Sequence, residues 1–94
     1  MSVSRPYDNV FEALEDDAAE ADSLRIRSEM MIRLRDHIAQ RGLSPEEAAR
    51  TMCVTEDSVS SLLNGKIDRF TIDMLVGMLS RAGIRAEFVL SEAA

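Results

Sequence analysis

The sequence predicts a mainly α domain of five helices, two of which form a helix-turn-helix, followed by one C-terminal β-strand. Between residues 44 and 66, two short segments have capping residues at their ends and a tight turn between them. The segments before and after them, 17–41 and 70–83, place apolar residues at helical spacing. Residues 84–90 instead place Ile84, Ala86, Phe88 and Leu90 on one side, which is the period of a strand.

The acidity of the chain is confined to its N-terminus. The formal net charge is −6: residues 1–23 hold seven acidic residues and one arginine, whereas residues 24–94 hold ten acidic and ten basic residues. We therefore divide the chain into an acidic N-terminal arm with a short helix, residues 1–23, and a helix-turn-helix domain with the C-terminal strand, residues 24–94. Asn9 is expected to cap the short helix, whose apolar patch consists of Val10, Phe11 and Leu14.

A long helix is expected from about Asp17 to Arg41, because this segment contains no glycine or proline and Gly42 follows it. Its core face consists of Leu24, Met31, Leu34 and Ile38, with Ile26 and Met30 beside them. Its opposite side carries Arg25, Arg27, Arg33 and Arg35. Glu29 and Asp36 lie between these arginines, so we favour a solvated, salt-bridged face over one that contacts phosphates.

Both short helices of the motif begin with recognisable caps. Ser44 is the first N-cap, Pro45 occupies the first helical position, and Glu47 completes a capping box. Thr55 is the second N-cap. The second helix is expected to end at Asn64 and Gly65, where a glycine suits the left-handed conformation of a helix C-terminus.

The packing of these two helices determines which residues face outward. Ala49 is small enough to admit the crossing helix, and Val59 and Leu62 are expected to turn inward. In a DNA-binding pair, the second helix enters the major groove while the helix ends grip phosphates. The predicted DNA-binding residues are Thr55, Glu56, Asp57, Ser58, Ser61, Asn64, Lys66 and Arg69.

Each of these residues also has a simpler interpretation. Glu56 and Asp57 can accept a hydrogen bond from cytosine N4, or can merely complement the positive end of the helix dipole. The serines contact DNA or are solvated, and the residues after the helix clamp phosphate or form a solvated connector.

The last helix is expected to begin at Phe70 and Thr71 and to end at Gly83. Its core face consists of Ile72, Leu75, Val76 and Leu79, with Met74 and Met78 along a second edge. No second strand exists to pair with residues 84–90. We therefore expect this strand to pair antiparallel with the same strand of another copy, which predicts a homodimer.

The composition excludes several classes of protein. No apolar run reaches the roughly eighteen residues of a membrane span and the N-terminus lacks an apolar signal-peptide core, so we expect a cytoplasmic protein without membrane contact. No nucleophile–base pair, metal-ligand set or phosphate-binding glycine loop is present. We therefore expect no enzymatic activity, no cofactor and no metal.

Three kinds of side chain have both a packing role and a chemical alternative. His37 has no second histidine or cysteine at ligand spacing, so we interpret it as a partly buried packing residue. Cys53, the one cysteine, is interpreted as a turn or core residue, with a redox-sensing thiol as the alternative. The six methionines are interpreted as core residues rather than as a partner groove.

Nearly the whole chain, roughly residues 9 to 90, resembles small XRE-type (lambda-repressor-like) helix-turn-helix proteins, closest to HigA-like antitoxins and their stand-alone relatives. The segments that carry the resemblance are NVFEAL, RGLSPEEAARTMCVTEDSVSSLLNGK, FTIDMLVGMLSRAG and IRAEFVL. The resemblance implies a five-helix lambda-repressor-like bundle, dimerisation, operator binding, autorepression and a toxin as partner. Members commonly have glutamine where this chain has Pro45 and Glu56, and glycine where it has Cys53.

Two functions of different classes follow. The first is a homodimeric, sequence-specific DNA-binding transcriptional regulator that recognises an inverted-repeat operator in double-stranded DNA, represses its own operon and serves as the antitoxin of a toxin–antitoxin pair. The second is a protein-interaction module on a helix-turn-helix scaffold that has lost DNA binding and binds a basic protein through its acidic end.

Overall fold

The computed structural model describes the backbone of residues 8–92 and the side chains of residues 18–92. This part of the chain contains four α-helices and a three-residue 3-10 helix. The α-helices are α1 (Asp8–Arg41), α2 (Pro45–Met52), α3 (Glu56–Leu63) and α4 (Ile72–Arg81). The 3-10 helix, Ile67–Arg69, joins α3 to α4 and is called the connecting turn below.

The prediction of two separate N-terminal helices is wrong, because α1 is one continuous helix of 34 residues. No glycine or proline interrupts it, and acidic residues near its start stabilise the helix by interacting with the positive end of its dipole. The helix passes through residue 23, where the sequence analysis placed a domain boundary. Residues 1–7 of the predicted N-terminal arm lie outside the described residues. The side chains of the apolar patch, Val10, Phe11 and Leu14, lie outside the described side chains.

The predicted C-terminal β-strand is also wrong, because residues 84–92 form an irregular tail and no strand occurs within residues 8–92. Ile84 and Ala86 are half-buried against the core, whereas Arg85 and Glu87 are exposed. The period of two therefore predicts the inward side chains only at Ile84 and Ala86, because Phe88 and Leu90, expected on the same side, are 51% and 92% exposed. It does not supply the hydrogen-bonded neighbour that a strand requires, and the described chain has none.

The core is formed by one face of α1 together with the buried sides of the three shorter helices. Its buried apolar residues are Met30, Met31, Leu34, Ile38, Ala48, Ala49, Met52, Val59, Leu62, Phe70, Leu75, Met78 and Leu79. The inward orientation predicted for Val59 and Leu62 is confirmed, because both are fully buried. Leu24 is 37% exposed, contrary to the prediction, because the shorter helices cover α1 only from about Ile26 onward.

The predicted capping box of α2 is confirmed. The backbone N–H of Glu47 donates to Ser44 Oγ at 3.1 Å, and the backbone N–H of Ser44 donates to Glu47 Oε1 at 2.8 Å. Thr55 and Thr71 cap α3 and α4 in the same way, each accepting one backbone hydrogen bond through its hydroxyl. These caps satisfy N–H groups that have no partner within their helices.

Each of the four α-helices is followed by a residue in the left-handed conformation. Three of these residues are glycines and the fourth is a cysteine. The four are Gly42 (φ 60°), Cys53 (φ 56°), Gly65 (φ 71°) and Gly83 (φ 82°). After each one, the next N–H returns to a carbonyl of the last helical turn, as in the 3.0 Å bond from Val54 to Ala49. Cys53 is therefore an L-residue in a conformation that disfavours a Cβ atom.

We expect Cys53→Gly to raise the free energy of unfolding by about 0.5–1 kcal/mol. Glycine adopts positive φ without the steric cost of a Cβ atom, which stabilises the fold. The larger loss of backbone entropy on folding offsets part of this gain. Urea unfolding at equilibrium measures the change. Cys53→Ala is the matched control, since it removes the thiol and keeps the Cβ atom, so it should give no gain. Equal stability of the two variants would contradict the prediction.

Candidate nucleic-acid interface

The outer surface of the motif is formed by the first turn of α3, the end of α3 and the connecting turn. Most of the predicted DNA-binding residues lie here with exposed side chains. The exposed ones are Thr55, Glu56, Asp57, Asn64, Lys66 and Arg69. Ser58 is half-buried. The structure therefore leaves seven of the eight predicted residues at least partly accessible, and it brings two of them, Asp57 and Arg69, together.

Ser61 is the exception, because it is only 5% exposed and lies on the inner side of α3 with Val59 and Leu62. Its burial corrects the expectation that this hydroxyl faces outward. A serine is small and only weakly polar, so periodicity alone does not distinguish an inward from an outward serine on a short helix. The DNA-contact prediction now depends on the other seven residues.

Two hydroxyl groups organise the first turn of α3. Thr55 Oγ1 accepts a hydrogen bond from the backbone N–H of Ser58 at 3.0 Å and donates to Ser58 Oγ at 3.1 Å. Without DNA, both side chains therefore form hydrogen bonds at the N-terminus of α3. Glu56 and Asp57 project beside them into solvent, where their carboxylates complement the positive end of the helix.

Asp57 also contacts the connecting turn through an ion pair. Arg69 Nη1 lies 3.9 Å from Asp57 Oδ2, and both side chains are largely exposed. Such a pair contributes little to stability in water. It does neutralise a cation that was predicted to clamp phosphate, so the carboxylate and a phosphate would compete for Arg69.

The end of α3 is more cationic than its first turn. Lys66 follows Gly65 in an exposed position, and Arg35 of α1 reaches the same place, with Nη1 3.9 Å from the point that a Cβ atom on Gly65 would occupy. Within the described residues, neither cation has an acidic partner within 4.0 Å. We call Arg35 and Lys66, with Asn64 beside them, the cationic end of α3.

Sequence reasoning missed the position of Arg35, because it grouped all the α1 arginines on one salt-bridged face. That interpretation holds for Arg25, which lies 3.5 Å from both Asp22 and Glu29. It fails for Arg35, which lies beside the end of α3. Only the approach of the two helices reveals this position, and helical spacing within α1 carries no information about it.

Arg27 is a second residue whose role the sequence did not indicate. Its Nη1 donates to the backbone oxygens of Ile67 at 3.2 Å and Phe70 at 3.3 Å. Its Nε donates to Ser23 Oγ at 3.1 Å and to the Ser23 carbonyl at 3.3 Å. One weak signal existed: Arg27, unlike Arg25, has no acidic residue three or four positions away on α1.

The carboxylate of Glu47 is stabilised by the capping box that it closes. Hydrogen bonds from the backbone N–H and then the side chain of Ser44 lower the pKa of Glu47 below its ordinary value of 4.5, and Arg50 adds a smaller contribution. The ionised form is thus the one that closes the capping box.

Among the side chains of residues 18–92, the structure contains no group of three histidine, cysteine or acidic residues that could hold a metal ion. His37 is half-buried. Cys53 is exposed, and Arg81 Nη1 lies 3.4 Å from the Cys53 Sγ atom.

None of the described helices combines the length and apolarity that crossing a bilayer requires.

Comparison with known proteins agrees with this geometry. A protein-family model described as a helix-turn-helix domain matches residues 13–91, which span most of α1, the motif and most of the tail. No curated protein matches the chain.

We expect Glu47→Gln to lower stability at pH 7 and to have a diminishing effect as the pH falls. Because the folded pKa of Glu47 is below 4.5, its stabilising contribution is present above that pH and is lost as the pH falls through the folded pKa. Urea unfolding of both proteins between pH 7 and pH 3 measures this convergence. Glu46→Gln, at the neighbouring exposed position, is the control and should show a smaller pH-dependent difference.

Proposed function

The chain belongs to the helix-turn-helix domain family, and on this basis we propose that it is a transcriptional regulator that binds a specific sequence of double-stranded DNA. The observation that carries the proposal is the division of the outer surface of α3. Its first turn presents hydrogen-bonding side chains without bulky apolar groups, and its far end presents the cations Arg35 and Lys66. The proposed activity is binding and not catalysis.

In this proposal α3 is the recognition helix and lies in the major groove. Glu56 and Asp57 read base edges, with cytosine N4 as the donor that suits a carboxylate. The cationic end and Arg69 contact backbone phosphates, which supply affinity without sequence preference. In this proposal the first turn of α3 supplies specificity, and the cations at its far end and on the connecting turn supply affinity.

We further propose that the regulator binds as a homodimer to an inverted repeat whose half-sites are about 34 Å apart. The support is the tail, where Phe88, Val89 and Leu90 are 51%, 95% and 92% exposed. Three successive exposed apolar side chains are unfavourable in water and suit contact with a second copy. The dimer in this proposal depends on side-chain burial.

The most specific part of the proposal is autorepression by an antitoxin. The support is the resemblance to HigA-like proteins together with the acidic half of α1, residues 8–22, which holds seven acidic residues and no basic one. A toxin with a basic surface fits this charge. A toxin gene adjacent to this one, and a stable complex of the two products, would establish it.

A protein-interaction module without DNA binding is the second candidate, and one observation favours it. The first turn of α3 places Glu56 and Asp57 where they repel phosphates, and Asp57 also neutralises Arg69. Under this alternative the chain captures a basic protein and has no measurable affinity for any duplex.

Fluorescence anisotropy with the chain's own upstream region tests the main proposal. At moderate salt this DNA should bind roughly a thousandfold or more tighter than a random duplex, a factor at the low end of the range for specific recognition. Equal and weak binding of both duplexes would contradict specific recognition. If the chain binds neither duplex and a pull-down recovers one basic protein in stoichiometric amount, the second candidate is favoured.

We expect Lys66→Ala to weaken binding to all sequences equally and to flatten the dependence of log K on log salt by about 0.9, because one phosphate contact is lost. Titrations of the upstream region and of a random duplex at several salt concentrations measure both effects. Glu56→Gln is the contrasting variant: it should change the preferred base and leave the salt dependence nearly unchanged. A selective loss of specific binding in Lys66→Ala would contradict this division of roles.

We expect Asp57→Asn to strengthen binding to a random duplex and to steepen the salt dependence by up to about 0.9, because Arg69 is released for a phosphate. Anisotropy on the random duplex measures the change. In an Arg69→Ala background the same substitution should have a clearly smaller effect. An equal effect in both backgrounds would show that Asp57 acts through general repulsion and not through Arg69.

A further inference from the structure

We propose that Arg27 is a positioning residue for DNA binding, because it fixes the connecting turn so that Lys66 and Arg69 face the backbone phosphates. This inference rests on the proposed DNA-binding function and assigns a role to a residue that does not itself face DNA. Arg27 is half-buried on α1, and its guanidinium contacts two carbonyl oxygens of a segment forty residues away.

The connecting turn has few hydrogen bonds of its own. The N–H of Arg69 donates to Lys66 O at 3.0 Å and the N–H of Phe70 donates to Ile67 O at 3.1 Å. A three-residue 3-10 helix has poorer hydrogen-bond geometry than an α-helix and is rarely stable alone. Its position therefore depends on what holds it from outside.

Two hydrogen-bonded attachments hold the backbone of the turn, in addition to the burial of Phe70 in the core and the ion pair between Asp57 and Arg69. At one end, the N–H of Lys66 donates to Ser61 O at 2.9 Å and joins the turn to α3. At the other end, Arg27 joins the carbonyls of Ile67 and Phe70 to α1. Lys66 donates the first of these bonds and Arg69 lies between the two carbonyls that Arg27 holds, so the loss of the Arg27 bonds would let the backbone that carries both side chains shift.

The chemistry of the contact requires an arginine. The planar guanidinium directs Nε to Ser23 and Nη1 to the turn at the same time, so α1 itself orients the group that holds the turn. A lysine has the same charge but no second donor group at a fixed angle. The comparison of Arg27→Lys with the wild type thus separates positioning from simple charge.

The first experiment measures the salt dependence of binding to a random duplex. We expect Arg27→Lys to weaken binding and to flatten the slope of log K against log salt by about 1–2, as one or two phosphate contacts are lost. Arg33→Gln is the control: it removes an exposed charge from the same helix without touching the turn and should change the slope less. The proposal is overturned if Arg27→Lys has the wild-type slope and affinity.

A double-mutant cycle identifies the residue through which Arg27 acts. If Arg27 positions Lys66, then Lys66→Ala should weaken binding clearly less in the Arg27→Lys background than in the wild type. Full additivity of the two substitutions would overturn the inference. Ser23→Ala is a second, milder variant that removes one acceptor of Nε and should reproduce the effect at smaller amplitude, should Arg27→Lys fold poorly.

Amide hydrogen exchange separates this inference from the proposed function, because it requires no DNA. In Arg27→Lys, the amides of Arg69 and Phe70 should exchange several-fold faster while those of α3 remain unchanged. Unchanged exchange would overturn the positioning role. If exchange is faster in Arg27→Lys but the wild type binds no duplex, the DNA-binding function is contradicted, whereas the role of Arg27 in holding the turn is supported.

Discussion

The packing of one face of α1 against the shorter helices is the interaction on which the rest of the structure depends. α2 and α3 have eight residues each and α4 has ten. Helices shorter than about 12–15 residues are marginal in water, so none of these three is stable through its own hydrogen bonds. They form because Met31, Leu34 and Ile38 give them an apolar surface on which to bury their own side chains.

The same dependence explains which features could be predicted from the sequence. Caps and helix ends are local, so Ser44 and Thr55 indicated the starts of α2 and α3 correctly, and Gly42 and Gly65 indicated the ends of α1 and α3. The inward faces of α3 and α4 were also correct in the main, because periodicity records burial directly. These features together define the motif that the family comparison identifies.

What the sequence did not predict depends on contacts between distant segments. The position of Arg35 beside Gly65 and the attachment of Arg27 to the connecting turn join residues that are 30 or more positions apart. The burial of Ser61 depends on the angle at which α3 packs. The exposure of the candidate residues was therefore predicted except at Ser61, and their contact with DNA stays a prediction, whereas the residues that orient them were not foreseen.

Because α1 is one continuous helix, the direction in which a residue near its start points around the helix axis is fixed relative to the residues that pack on the motif. At a rise of 1.5 Å per residue, 34 residues span roughly 51 Å, and successive residues are rotated by about 100° around a single axis. A partner held by residues 8–22 would therefore occupy a defined angle around the motif, set by the number of residues between them. Deletion of one residue between Asp22 and Ile26 would turn that partner by about 100° around the axis while moving it only about 1.5 Å. Helix length in this protein thus determines direction far more than distance.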